Sequence, residues 1–208
     1  MQKPIILVGG GGHCKSVIEA AESAGCEILG ILDLPEFIGA KILGYEVLGS
    51  DTDVAKYADK AEFVVTLGFI KNPALRIKLH GNIINQGGKL ATIIASTSHV
   101  SNHAEIGEGT VVLHQATVNA GAKIGKGVII NTAANIEHDV VVGDYTHIST
   151  GVMVNGDCKV GANTFIGSRS VLANGVKVCD NCAVGAGSIV IKDITESGTY
   201  VGCPVRKL

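Results

Sequence analysis

From residue 100 to residue 190 every sixth position is aliphatic. All sixteen such positions comply: Val100, Ile106, Val112, Val118, Ile124, Ile130, Ile136, Val142, Ile148, Val154, Val160, Ile166, Leu172, Val178, Val184 and Val190. Two residues before each stands a small or β-branched residue, among them Ala104, Thr110, Ala116, Thr146, Cys158, Thr164 and Ser188. A strict six-residue period predicts a parallel β-helix, in which each unit forms one short face of a triangular prism and three units close a coil. The aliphatic residue points into a narrow lumen, and sixteen units give about five coils. The hexapeptide class implies a left-handed helix, whereas ordinary crossovers are right-handed. Gly107, Asn119, Gly125, Asn131, Gly143, Asn155, Gly161, Gly167 and Gly185 each follow a lumen residue. There they are expected to supply the permissive φ of a turn.

The preceding segment has a different rhythm. An apolar run from Pro4 to Val8 enters glycines, then Val17, Ile18, Ala21 and Ala24 follow at helical spacing over Lys15 to Ser23. Further strands are predicted at Ile28 to Leu32, ending at Asp33, and at Glu62 to Leu67, ending at Gly68, before a helix over Pro73 to Asn85. This order predicts a small, mostly parallel, Rossmann-like α/β sheet with ligands at the carboxyl ends of its strands. Two domains are expected, 1–90 as the α/β unit and 91–208 as the β-helix.

Composition supports repetitive β structure: 28 glycines, no tryptophan, 4% aromatic residues and 46% hydrophobic residues leave Val, Ile, Leu and Ala to build the core. A net charge of −2 offers no broad attraction for nucleic acid or an anionic membrane, so a phosphate-bearing ligand needs a local site. No apolar run approaches the roughly 20 residues needed to span a bilayer, and no signal peptide pattern opens the chain. Of the six cysteines only Cys179 and Cys182 have ligand-like spacing, and no second pair completes a zinc set. No metal is expected, and free thiols fit a reducing cytoplasm.

The chemistry lies in residues that the repeat does not require. Glu137-His138-Asp139 occupies a turn, and His147 precedes lumen residue Ile148, a spacing read as placing the two histidines on adjacent coils. A histidine can take a proton from an attacking amine near neutral pH, and an adjacent carboxylate raises its basicity and orients its ring. His103 and His114 are read as solvated turn residues. Gly9-Gly10-Gly11-Gly12-His13 follows a strand and opens a helix, the setting in which backbone N–H groups receive phosphate. NAD is the competing ligand, with Asp33 as ribose partner, but the sheet is small and nothing downstream offers hydride chemistry. Arg76 is either a phosphate contact or a surface residue. A structural or scaffolding solenoid would explain the repeat equally well, but not the His-acid pair.

The segment from Asn131 through Ile136-Glu137-His138-Asp139 to Tyr145-Thr146-His147 resembles the sialic acid O-acetyltransferase NeuD family of hexapeptide-repeat acyltransferases. Within it the chain is most similar to bacillosamine-pathway N-acetyltransferases, from the glycine run to Gly202-Cys203-Pro204-Val205-Arg206. The resemblance implies acetyl transfer from acetyl-CoA to the amino group of a nucleotide-linked 4-amino-sugar, or, as the alternative, to a hydroxyl of sialic acid or a polysaccharide. It implies His138 as general base, Asp139 as the carboxylate behind it, and coenzyme contacts at His147, Gly156, Ser168 and Ala186, with Gly156 as backbone donor to the thioester carbonyl. Gly11, Gly12, His13, Asp33 and Gly68 match the family's nucleotide-sugar pocket. A homotrimer with sites between subunits follows from the same resemblance. The family's usual second acidic residue is Leu34 here, and extra residues separate Gly68 from Arg76.

Overall fold

The computed structural model describes residues 3–208. Strands β1 (Ile5–Val8), β2 (Ile28–Leu32), β3 (Lys41–Ile42), β4 (Tyr45–Gly49) and β5 (Glu62–Val65) form a sheet in the order β3-β4-β2-β1-β5. All neighbours are parallel except the β3–β4 hairpin. That hairpin was not predicted. Its turn, Leu43-Gly44, holds both residues at positive φ (47° and 92°), and a leucine at the first position gives no recognisable turn signal. Helix α1 (Gly12–Ser23) buries Cys14, Val17, Ile18 and Ala21, while α2 (Ala74–Asn85) lays Leu79 and Ile83 against Phe63 and Val65 on the other side of the sheet.

The rest is a left-handed parallel β-helix of two-residue strands, pairing between coils at a separation of 18 residues, as in Asn135↔Met153 and Val141↔Lys159. The lumen residues from Val112 to Val190 are all buried and form one continuous core. The positions two residues earlier also turn inward, into the crowded corners. Their hydroxyls donate to carbonyls of a following corner: Thr110 to Gly125 at 2.9 Å, Thr146 to Gly161 at 2.7 Å and Ser170 to Gly185 at 2.9 Å. Only a small side chain fits there, and a buried hydroxyl needs that partner.

One expectation is corrected by the corners. The glycines directly after the lumen residues do not have positive φ. They are needed for close approach: a Cβ at Gly107 would lie 2.5 Å from the Gly125 carbonyl carbon, and one at Gly143 would lie 2.5 Å from the Ala162 nitrogen. The left-handed position is two residues further on, and the chain fills it with Gln115, Ala133, Asp139, Tyr145, Asp157 and Arg169 as readily as with glycine.

The outward residues give the three faces different characters. One face, carrying Ile93, Val111 and Ile129, shares a core with Cys14, Val17 and Ile18 of α1 and is the docked face. A second presents Glu105, Lys123, Val141, Lys159 and Lys177 and is the lysine face. The third presents His99, Thr117, Asn135, Met153, Val171 and Ile189 and is the mixed face.

Arg76 is neither a phosphate contact nor a surface residue. It is 1% exposed and donates to the carbonyls of Val65 (2.7 Å), Leu67 (2.9 Å) and, across the domain junction, Gly127 (3.0 Å). Burial lowers its pKa to about 9. Carbonyl oxygens satisfy three of its hydrogen bonds without a carboxylate, so it fastens the sheet to the β-helix.

Candidate functional site

His138 and Asp139 lie at a corner between the mixed face and the lysine face, after strand Asn135–Ile136 and before Val141–Val142. The repeat places Asp139 in the left-handed position (φ 61°), a conformation that aspartate tolerates. That turns its carboxylate back onto the preceding ring, with His138 Nδ1 2.9 Å from Asp139 Oδ2. The hydrogen bond that Asp139 accepts from the ring is the main cause of a raised His138 pKa. With Nδ1–H donating to the carboxylate, Nε2 keeps its lone pair for an incoming proton.

Gly156, one coil further on, lies against that nitrogen. A Cβ at Gly156 would be 2.5 Å from His138 Nε2, so the absent side chain makes room for the imidazole. The Gly156 N–H has no hydrogen-bond partner among the described residues. Asp157 occupies the left-handed position one coil above Asp139, and one ligating atom each of His138, Asp139 and Asp157 lie within 4.8 Å of one another. Arithmetic on the repeat (139 + 18 = 157) would have found Asp157.

His147 is elsewhere. Nine residues are half a coil, so it belongs to the same coil as His138 rather than an adjacent one, and points from the docked face toward the sheet. It is 7% exposed, its Nδ1 donates to the Phe69 carbonyl (2.8 Å), and its Nε2 accepts from Asn131 (3.1 Å). Its ring stands 6.2 Å from that of His13, and Gly68 lies beside His13, where a Cβ would meet the imidazole at 3.7 Å. His147, His13 and Gly68 thus gather at the domain junction. Ser168 and Ala186 stack on successive coils at the corner between the docked and mixed faces, tied by the Gly187 N–H to the Ser168 carbonyl at 2.8 Å. They share no corner with Gly156.

The glycine run divides into two pairs. Gly9 needs its positive φ (104°), and a Cβ on Gly10 would strike Asp33 Oδ2 at 2.5 Å. Asp33 accepts from the Gly10 N–H (2.9 Å) and the Leu34 N–H (2.8 Å). Gly11 has an ordinary φ of −70°, and a Cβ on Gly11 or Gly12 would meet nothing within 4 Å. The chain's own packing does not require these two glycines, and they open the N-terminus of α1. A cleft bordered by Gly10, Gly11, Asp33, Phe37, Ile42 and Val47 leads up to them.

Sequence reasoning missed the partners that orient His147, namely Phe69 and Asn131, and also missed His80. His80 is fully buried, both its nitrogens lack partners, and its ring meets Tyr145 edge-on at 5.4 Å. Burial lowers the pKa values of His13 and His80 to about 3 and that of His147 to about 4. These groups stay neutral when folded but take protons below about pH 6.5 when unfolded. Their stabilisation is therefore whole above pH 6.5 and is lost as pH falls toward their folded values. At pH 5, His80 and His147 each cost about 2 kcal/mol on this basis, with His13 acting in the same direction. The melting temperature is expected to fall steeply between pH 7 and pH 5, less so for His80→Phe, and an identical profile for that variant would contradict this assignment.

Comparison with known proteins bears on the family and the fold. Residues 4–83 match the family model described as PglD N-terminal domain, and residues 157–192 match that of the bacterial transferase hexapeptide (six repeats). The acetyltransferase domain of PglB from Neisseria gonorrhoeae FA1090, solved in complex with acetyl coenzyme A, is 30% identical over 100% of both chains, with a TM-score of 0.91. PerB from Caulobacter crescentus, in complex with CoA and GDP-perosamine, is 29% identical over 99% of this chain and 97% of that one, with a TM-score of 0.91. WeeI from Acinetobacter baumannii AYE, 23% identical over 99% of each chain with a TM-score of 0.72, is alike in fold. No curated protein sequence matches the chain. The chain belongs to the hexapeptide-repeat acyltransferases that carry a PglD N-terminal domain.

Proposed function

We propose that this protein transfers the acetyl group of acetyl-CoA to the amino group of a nucleotide-linked 4-amino-sugar, with His138 as general base. The observation that carries this reading is the exposed, Asp139-backed imidazole, whose free Nε2 faces the side-chain-less Gly156. Acyl transfer from a thioester needs alignment, a base for the nucleophile and a donor for the carbonyl oxygen. His138 supplies the base. The free Gly156 N–H is suited to be the donor, and Ser168 and Ala186 would hold the coenzyme further along, with His147 ordering the junction beside it. The relatives solved with acetyl-CoA, and with CoA together with GDP-perosamine, support both the co-substrate and the acceptor class. The amine attacks the thioester carbonyl as His138 takes its proton, and coenzyme A leaves as the thiol, with no covalent enzyme intermediate.

The acceptor would be held by the 1–90 domain, its phosphates at Gly11 and Gly12 on the N-terminus of α1, with His13, Asp33 and Gly68 around it. This pocket and the base belong to different copies of the chain. The 1–90 domain covers the docked face, whereas His138 sits on the corner formed by the other two faces, the far side of a triangular prism. A second copy must therefore bring its pocket to that corner. The mixed face, with Met153, Val171 and Ile189 outward, is suited to close three prisms into a homotrimer. No helix of the described residues is long and apolar enough to cross a membrane, and six free cysteines fit a cytoplasmic enzyme.

Thiol release from acetyl-CoA tests the reading against UDP-, GDP- and dTDP-linked 4-amino-sugars, with CMP-sialic acid and free sialic acid alongside. Turnover with an amino-sugar nucleotide is expected. Turnover confined to sialic acids would replace it with O-acetylation, and no coenzyme A affinity at all would leave a sensor or scaffold.

A further inference from the structure

The site holds more negative charge than a general base needs. Asp139 alone orients His138, and its Oδ2 is engaged by Nδ1. Asp157 adds a second carboxylate to the same corner, within 4.8 Å of both. Its position is fixed by the backbone, since it sits at φ 61° and its N–H donates to the His138 carbonyl at 3.1 Å. Its carboxylate accepts no hydrogen bond from the described residues, and the residue is exposed to solvent beside the His138 imidazole. Two carboxylates around one imidazole leave the corner net negative even when His138 is protonated, an unfavourable arrangement that a cation arriving there would relieve.

We infer that Asp157 is a specificity-determining residue that docks the acceptor as its ammonium form and so selects amines over hydroxyls. This rests on the acceptor class proposed above. An alkylamine with a pKa near 8 reaches the enzyme largely protonated at neutral pH, as α-amino groups do. Asp157 would pair with that ammonium beside His138 Nε2. The ammonium then releases one proton to solvent, and the free amine attacks. The C–N bond forms, the C–S bond breaks, and the second proton passes through His138 to the coenzyme A thiolate. The product amide is neutral, so the charge attraction ends with the reaction and does not hold the product. A sugar hydroxyl carries no charge and can offer Asp157 a hydrogen bond but no ion pair.

The test compares wild type with Asp157→Asn. Asparagine adopts the left-handed conformation as readily as aspartate, so the corner is preserved. Calorimetry is run with UDP-, GDP- and dTDP-linked 4-amino-sugars and with their 4-hydroxyl counterparts. Wild type is expected to bind the amine of the accepted nucleotide about fivefold more tightly than its hydroxyl counterpart, the scale of one solvent-accessible charge pair. Asp157→Asn should bind both as wild type binds the hydroxyl. In turnover, the acceptor KM should rise by about the same factor, with the acetyl-CoA KM unchanged. Equal affinities in wild type, or an unchanged preference in Asp157→Asn, would overturn the inference while leaving the acetyltransferase reading intact. Failure of every amino-sugar nucleotide to bind would overturn both.

Discussion

His138→Ala is expected to lower turnover by roughly 100-fold or more, the usual contribution of a positioned general base, while oligomeric state and melting temperature stay near wild type. The expectation of an intact fold comes from the same geometry that makes the residue a base. The His138 side chain is 57% exposed, and its hydrogen bond is to a neighbour that is itself 61% exposed, so truncation leaves neither a cavity nor a buried unpaired group. Activity above a tenth of wild type would remove His138 as the base. A second readout separates basicity from position. The base acts when neutral, so activity falls as pH drops through its pKa, which Asp139 raises. Asp139→Asn keeps the left-handed corner and removes the carboxylate, so the acid limb of the rate profile should move to lower pH as turnover falls.

The parts of the fold governed by a strict period were legible before any coordinates. The lumen ladder is a case in point: nothing larger than an aliphatic side chain fits inside so narrow a prism, so the spacing of Val112 through Val190 directly records the geometry. The strand Ile28–Leu32 and the helix ending at Asn85 were equally plain, because the first is a short apolar run closed by Asp33 and the second stops just before Gly87-Gly88. What the period conceals is which corner residue serves which need. Glycines after the lumen residues look like turn formers, yet they are there because consecutive coils touch. Tyr145 and Arg169 hold left-handed conformations that their side chains do not advertise.

The candidate site divides in the same way. His138 and Asp139 stand out because the repeat has no need of them. Placing His147 required counting in coils of 18 rather than in residues, and the step from Asp139 to Asp157 follows from the same count. Arg76 was unreadable for a different reason. Its partners are backbone carbonyls of Val65, Leu67 and Gly127, brought to it by two elements and a domain junction, and no side-chain pattern encodes a carbonyl cage. Gly11 and Gly12 became interpretable only once Gly9 and Gly10 were seen to be structural.

The central claim is that the base on one copy serves an acceptor held by another, and complementation tests it most directly. Gly11→Leu places a side chain in open space at the phosphate-accepting end of α1, so it should leave the melting temperature at wild type and abolish acceptor binding. His138→Ala keeps the pocket and lacks the base. Each variant alone should be inactive. Coexpressed under different affinity tags and purified as mixed oligomers, the two should recover about a third of wild-type turnover, because every cyclic trimer containing both variants has one of its three sites pairing an intact base with an intact neighbouring pocket. Mixed oligomers as inactive as either parent would contradict the claim and return the base and pocket to a single chain.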